Sequence, residues 1–233
     1  GEQPAFADQV ASGRQHRRQL QRHLKTDLEG LEIAVVHPDQ RRFQPQGSIQ
    51  FRGQELTKLR ENEIVQAGVG RKFQTPSVFE DLTVFENLEI SFPRGRTVFG
   101  SLTFQRDDTV KQRVEEVAEM IFLKDRLDTY ADQLSHGQKQ WLEIGMLLAQ
   151  EPRLLLVDEP AAGMTLAERE QTTTLLRRLA QRHAVVVVEH DMDFVRRLDC
   201  KVTVLHEGSV LAEGSLDHVT ANPQVIEVYL GRG

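Results

Sequence analysis

The chain has 233 residues, of which 39% are hydrophobic and 27% charged, with eight prolines and sixteen glycines. This ordinary globular composition excludes collagen-like, coiled-coil and low-complexity classes, and the length is ample for a real core. Lysine and arginine number 29 against 35 acidic residues, a formal charge of −6 that speaks against a nucleic-acid backbone binder. No apolar run approaches the ~20 residues of a membrane span. The single cysteine, Cys200, excludes an internal disulfide and suits a reducing cytosol. The N-terminal residues have no apolar signal core, so export is not expected.

In chain order, residues 1–46 stand apart. Between Gly13 and Gln46 lie six arginines, six glutamines and three histidines, and apolar residues are sparse outside Leu31–Val36. Such a stretch is expected to be poorly ordered on its own. A basic arm touching nucleic acid or lipid is the less favoured alternative. From Gly47 the pattern becomes regular. Ser48–Arg52 alternates like a short strand and Gly53 turns it. Lys58–Ala67 is expected as a helix stopped by Gly68, and Val69–Phe73 as a strand leading to Gln74. Thr83 and Glu86 form a T-x-x-E capping box before Val84–Ile90. Val110, Val114, Val117 and Ile121 recur at helical spacing, giving an amphipathic helix over about 108–122.

The second half is more regular still. Ser135 and Gln138 form an S-x-x-Q capping box opening a helix to about Ala149, and Pro152 then breaks the chain. Arg153–Val157 runs apolar into Asp158 and Glu159. Thr165 and Glu168 cap a helix to about Gln181, and Ala184–Val188 runs apolar into Glu189 and His190. Continuous apolar strands separated by helices predict a buried parallel sheet. Lys201–His206 and Ser209–Ala212 read as a hairpin through Glu207-Gly208, and Asn222-Pro223 opens a last short helix.

Ligands of an open parallel sheet gather at the carboxyl ends of its strands. Asp158-Glu159 and Glu189-His190 stand at two such ends. Adjacent carboxylates there suit holding Mg²⁺ through oxygen and orienting or deprotonating a water; the alternative is simple capping of a surface strand. Leu134-Ser135-His136-Gly137-Gln138 opens a helix whose unpaired N–H groups favour phosphate; the alternative is an ordinary cap without ligand.

Taken together, Arg71-Lys72-Phe73-Gln74, Leu134–Gln138, Leu154-Leu155-Leu156-Val157-Asp158-Glu159-Pro160 and Val187-Val188-Glu189-His190-Asp191 resemble, in order and spacing, the ATP-binding cassette (ABC) ATPases over about residues 47–233. There they correspond to the Q-loop, signature, Walker B and switch-histidine segments. The resemblance implies an α/β fold, P-loop NTPase-like, with a parallel-sheet core and a helical subdomain at about 75–150, the part before residue 47 being aberrant or truncated. It implies that Gln74 senses the γ-phosphate and touches Mg²⁺. Ser135, Gly137 and Gln138 would contact a nucleotide held by the opposite subunit of a dimer. Asp158 would hold Mg²⁺, Glu159 would be the general base, and His190 would contact the γ-phosphate and the attacking water. Ala161–Met164 occupies the D-loop position. The cofactors implied are ATP and Mg²⁺.

The implied partners are a second ATP-binding subunit, two transmembrane permease subunits and, indirectly, a solute-binding protein, with no nucleic acid. The implied location is cytoplasmic, at the inner face of the cell membrane. Pro76, Val78 and Phe79 are the expected contact for the transmembrane subunits, or else core. Gln138–Met146, Pro160–Thr165 and Val225–Gly231 look like the branched-chain amino-acid importer group, most closely its urea-type ATP-binding subunit. Trp141 supports that choice, unless it is only a core aromatic. His136 stands where glycine is commoner, and backbone donation from Gly137 survives that change.

One family motif is missing. No G-x-x-x-x-G-K-[ST] phosphate loop exists in the sequence. Gly68-Val69-Gly70-Arg71-Lys72 only imitates it, since no helix follows. Leu31–Val36 is the best candidate for the strand that precedes such a loop. The ten residues between it and Gly47, with Pro38 and Pro45 among them, leave no room for a loop and a helix. Two explanations stand. One is a divergent subunit, silent on its own, that lends its signature residues to a partner. The other, favoured by the composition break near 46–48, is a mistranslated N-terminal part joined to a sound cassette. Either predicts weak intrinsic ATPase activity.

Overall fold

The computed structural model describes residues 31–36 (backbone only), 48–93, 108–206 and 209–230. Six strands form one sheet: β1 (Leu31–Val36), β4 (Val69–Lys72), β5 (Leu154–Asp158), β6 (Ala184–Val188), β7 (Lys201–His206) and β8 (Ser209–Gly214). Their order is β4-β5-β6-β1-β7-β8. The pairs β4·β5, β5·β6, β6·β1 and β1·β7 are parallel; only the β7·β8 edge pair is antiparallel. The expected hairpin is therefore present, with β8 running two residues further than expected, to Gly214; its connection at residues 207–208 lies outside the described residues. The Leu31–Val36 segment is a strand near the sheet's middle. The rest of the atypical stretch, and its expected poor order, lie outside the described residues.

Parallel strands need crossovers, and the helices supply them. α5 (Leu166–Leu179) links β5 to β6, and α6 (Met192–Leu198) links β6 to β7. The long connection from β4 to β5 carries α2 (Val84–Glu89), α3 (Asp108–Met120) and α4 (His136–Leu148). α3 buries Val110, Val114 and Ala118 at helical spacing. These pack with Leu88, Ile121, Leu142 and Ile144 in a core continuous with Leu155, Val185 and Val187 of the sheet. A smaller cluster of Val69, Leu154 and Ala184 with Phe51, Leu56 and Ile64 packs beside it.

All three capping boxes form. Thr83, Ser135 and Thr165 each accept from the backbone N–H three residues on, and Glu86, Gln138 and Glu168 return the favour. Boundaries differ where the cue is weak. Residues 58–67 are not one helix: a 3₁₀ turn at Leu56–Lys58 precedes α1 (Glu61–Gln66), because Arg60 is extended and accepts the role of cap. The strand expected at 48–52 shrinks to β2 (Gln50–Phe51), paired with β3 (Gln54–Glu55) around Arg52-Gly53. Both turn residues have positive φ, 51° and 78°, as a tight hairpin requires. α5 ends at Leu179 and α3 at Met120, each two residues short of expectation. Chain-terminal helices α7 (Leu216–Thr220) and α8 (Pro223–Val225) follow β8. Among the described residues no helix is long and apolar enough to cross a membrane.

Removing one capping hydroxyl tests this account of the helical part. Thr83→Ala removes the acceptor of the Glu86 amide, while the Glu86 carboxylate loses the hydroxyl and keeps the backbone N–H of residue 83. The expected loss in urea unfolding is about 1 kcal/mol, with an unchanged slope.

Candidate functional site

β5 and β6 leave the sheet at the same level, Asp158 lying opposite Val188. Glu159 and Glu189, the next residues, therefore start two neighbouring loops. Glu159 turns sharply, with φ +43°, a left-handed conformation uncommon for a residue with a Cβ. Its N–H donates to Val188 O at 2.9 Å, and its carbonyl accepts from Ala162 N at 3.3 Å. Strained backbone of this kind clusters at functional sites.

The turn brings three of the expected residues together. Gln74 Nε2 donates to Glu159 Oε2 at 2.5 Å. His190 Nδ1 lies 3.3 Å from Glu159 Oε1. The imidazole is 63% exposed and the Glu159 side chain 27%, so the pair faces solvent and is accessible to a ligand. Asp158 ends β5 beside them, half-buried. Asp158, Glu159 and the Gln74 amide give the oxygen donors a hard cation prefers. Among the described residues no cluster of three or more His, Cys, Asp or Glu side chains forms a metal cage. That donor set fits Mg²⁺, which takes one or two carboxylates and completes its shell with water and phosphate.

Ser135, Gly137 and Gln138 form a second group, at the start of α4. Ser135 Oγ donates to Glu168 Oε1 at 2.7 Å, and Gln138 closes the capping box. A Cβ on Gly137 would sit 2.6 Å from Glu168 Oε1, so a larger residue there would displace the Glu168 carboxylate from Ser135. The Ser135 hydroxyl first, then the Thr165 amide and hydroxyl, hold the Glu168 carboxyl below its usual value. The two groups are joined through Gln140, whose Nε2 lies 3.2 Å from Gln74 O and 3.2 Å from His136 Nε2.

Two buried charges behind the site were not legible as such. Lys72 is wholly buried at the end of β4. Its Nζ donates to Phe73 O at 2.7 Å, reaches Asp158 O at 3.5 Å and lies 3.9 Å from Glu143 of α4. Burial pushes Lys72 down and Glu143 up, each opposed by the other's charge. Lys72 is thus a joint between β4, β5 and α4, and Gly68-Val69-Gly70-Arg71-Lys72 is a turn residue followed by strand Val69–Lys72, not a phosphate loop. The second is Glu189, 2% exposed. Burial pushes its carboxyl up, against three backbone amides that pull it down.

Trp141 is 3% exposed, and its Nε1 donates to Thr172 Oγ1 at 2.8 Å, so it is a core aromatic. Of the residues expected to meet a partner, Phe79 is 55% exposed, whereas Val78 packs against the core.

Comparison with known proteins follows the same lines. A family model described as ABC transporter matches residues 39–162, and one described as branched-chain amino acid ATP-binding cassette transporter matches 209–233. The high-affinity branched-chain amino acid transport ATP-binding protein BraF of Pseudomonas aeruginosa is 32% identical over 201 residues, 81% of this chain and 78% of the relative. The methionine import ATP-binding protein MetN of Leifsonia xyli is 35% identical over 204 residues, 86% of this chain and 56% of the relative. A crystal structure of an ATP-binding cassette of an ABC transporter, in its ADP conformation, superimposes with a TM-score of 0.70 at 24% identity. It spans 88% of this chain and 89% of its own, and the likeness speaks to the fold.

The Lys72 joint gives a direct test. Lys72→Met leaves the Glu143 carboxylate buried without its cation, and the expected cost is about 3–5 kcal/mol in urea unfolding. Adding Glu143→Leu recovers much of that loss in a double-mutant cycle. Additive single losses would show that the two charges do not speak to each other.

Proposed function

The chain belongs to the ATP-binding cassette family of ABC transporters, and from that premise we propose that it is the energy-coupling ATP-binding subunit of an importer. The observation that carries this reading is the meeting of Gln74, Glu159 and His190 at the carboxyl ends of β4, β5 and β6. In phosphoryl transfer the protein mainly positions the nucleophile and neutralises developing charge. Glu159 accepts the proton of the attacking water or orients it. His190, in contact with Glu159, donates toward the γ-phosphate region. Asp158 and Gln74 hold Mg²⁺, which neutralises phosphate charge when bound. Ser135, Gly137 and Gln138 present a helix N-terminus to a nucleotide held by a second ATP-binding subunit.

The sequence holds no G-x-x-x-x-G-K-[ST] stretch, and we read it as lacking the lysine and amides of a phosphate loop. Each charge-assisted hydrogen bond of that kind contributes about 1.5–3 kcal/mol, and losing several weakens MgATP binding severely. The purified chain is therefore expected to bind MgATP weakly in calorimetry, at about millimolar Kd or worse, and to turn over near background. Glu159→Gln then changes little alone. In a dimer with a partner that restores nucleotide binding, it lowers hydrolysis at this site by about 10²-fold or more. Brisk hydrolysis by the purified chain, abolished by Glu159→Gln, would overturn the weak-activity reading and keep the catalytic one.

The family matches support the branched-chain amino-acid importer group, and the Gln138–Met146, Pro160–Thr165 and Val225–Gly231 stretches carry the finer assignment to urea or short amides. The MetN likeness, at higher identity than BraF, shows that overall identity does not separate solutes. The subunit works at the inner face of the membrane. Two transmembrane permease subunits receive its motion, with exposed Phe79 in the contact, and a solute-binding protein delivers the solute. Uptake of labelled urea and labelled leucine in cells lacking the gene decides the solute: loss of urea uptake alone is expected, and loss of leucine uptake alone would replace that assignment.

A further inference from the structure

The Glu189 carboxylate ties together the two loops that carry the site. Its Oε1 accepts from the Ala161 amide at 3.1 Å, and its Oε2 from the amides of His190 and Asp191 at 3.1 and 3.4 Å. Ala161 is itself 2% exposed. It follows Glu159 by two residues, with Pro160 between them fixing one backbone angle. Gripping the Ala161 N–H therefore limits where the Glu159 turn leaves β5. On the other side, the grip on the His190 and Asp191 amides sets the first step of the chain out of β6. Asp191 is held from its far side as well, by Arg169 Nη1 of α5 and by the amides of Asp193 and Phe194. A charged group buried this deeply persists only where its hydrogen bonds are made, and here all go to backbone of the two site loops.

We infer that Glu189 is a positioning residue, which sets the contact between Glu159 and His190 by clamping both of their loops to one buried carboxylate. The inference rests on the reading of Glu159 and His190 as the water-activating pair, but the tie itself is a property of the chain without nucleotide. No side-chain atom of Glu189 needs to touch nucleotide. The clamp explains how two side chains on separate loops, one of them largely exposed, keep a 3.3 Å contact.

The test is nuclear magnetic resonance on the full chain without nucleotide. In the parent, Glu159→Gln shifts the His190 ring Hε1 resonance, because the two side chains touch. In a Glu189→Ala background the same substitution is expected to leave that resonance nearly unmoved. In Glu189→Gln, which keeps one acceptor oxygen and the size of the side chain, the response is expected to be intermediate. Hydrogen exchange at the Ala161, His190 and Asp191 amides is expected to quicken about tenfold or more in Glu189→Ala. The core truncation Leu176→Ala is the control for general destabilisation and should leave those three amides protected. Should Glu189→Ala not fold, Glu189→Gln carries both readouts. A full-size His190 response in the Glu189 variants, or equal quickening in Leu176→Ala, overturns the inference. Unchanged hydrolysis on Glu159→Gln in a dimer whose partner restores nucleotide binding would instead count against the proposed function and leave the clamp standing.

Discussion

The parallel pairing of β5 with β6 is the constraint on which the site depends. Leu154 through Asp158 lie opposite Ala184 through Val188 without a bulge. Both strands are apolar along their length, as strands covered on both faces must be. A slip of one residue would turn every side chain of one strand to the other face, and the core would lose Leu155, Val157, Val185 and Val187 from their places. Register is therefore fixed by burial, and the chemistry inherits it: the residue after each strand emerges beside the residue after the other. The left-handed turn at Glu159 completes the approach.

Three buried ionisable groups then hold the outgoing loops. Lys72 binds the carbonyls of Phe73 and Asp158 and faces Glu143 on α4. Glu189 binds three amides across the Glu159 and His190 loops. Apolar packing could fill the same volumes, and buried ion pairs often contribute little net stability. What an apolar side chain lacks is direction. A carboxylate or ammonium that must satisfy several backbone groups at once allows few positions for the segments that carry them. At a site where three side chains from three loops have to meet, that restriction is worth its desolvation cost.

How much of this was legible follows from how local each cue is. Capping boxes depend on four consecutive residues, and all three formed as read, at Thr83, Ser135 and Thr165. The two apolar strands and the strand-end residues Asp158, Glu159 and His190 were equally plain. The stretch before Gly68 was not, because Lys58–Ala67 has helix-forming composition but no hydroxyl cap, and the helix begins only after extended Arg60. Trp141 could be read from sequence as a core aromatic, but not its hydrogen bond to Thr172 of α5. Least legible were Lys72 and Glu189. A lone charge in a sequence reads as surface, and only the packing of α4 against β4, or of the Ala161 turn against Glu189, reveals it as buried. The side-chain neighbours of Ser135 came from α5, more than thirty residues away, for the same reason.

The sheet order also sets where β1 ends relative to the site. β1 lies between β6 and β7 and runs parallel to both, so Val36 ends β1 on the side of the sheet where β6 leads to His190. In this chain the segment after β1 contains Pro38 and Pro45 and no glycine before Gly47. The contacts of Glu159 with Gln74 and His190 are carried by other elements. Gln74, Glu159 and His190 are set by β4, β5 and β6 and by the buried groups Lys72 and Glu189 behind them. The meeting of Gln74, Glu159 and His190 thus rests on β4, β5 and β6 and on the buried groups behind them.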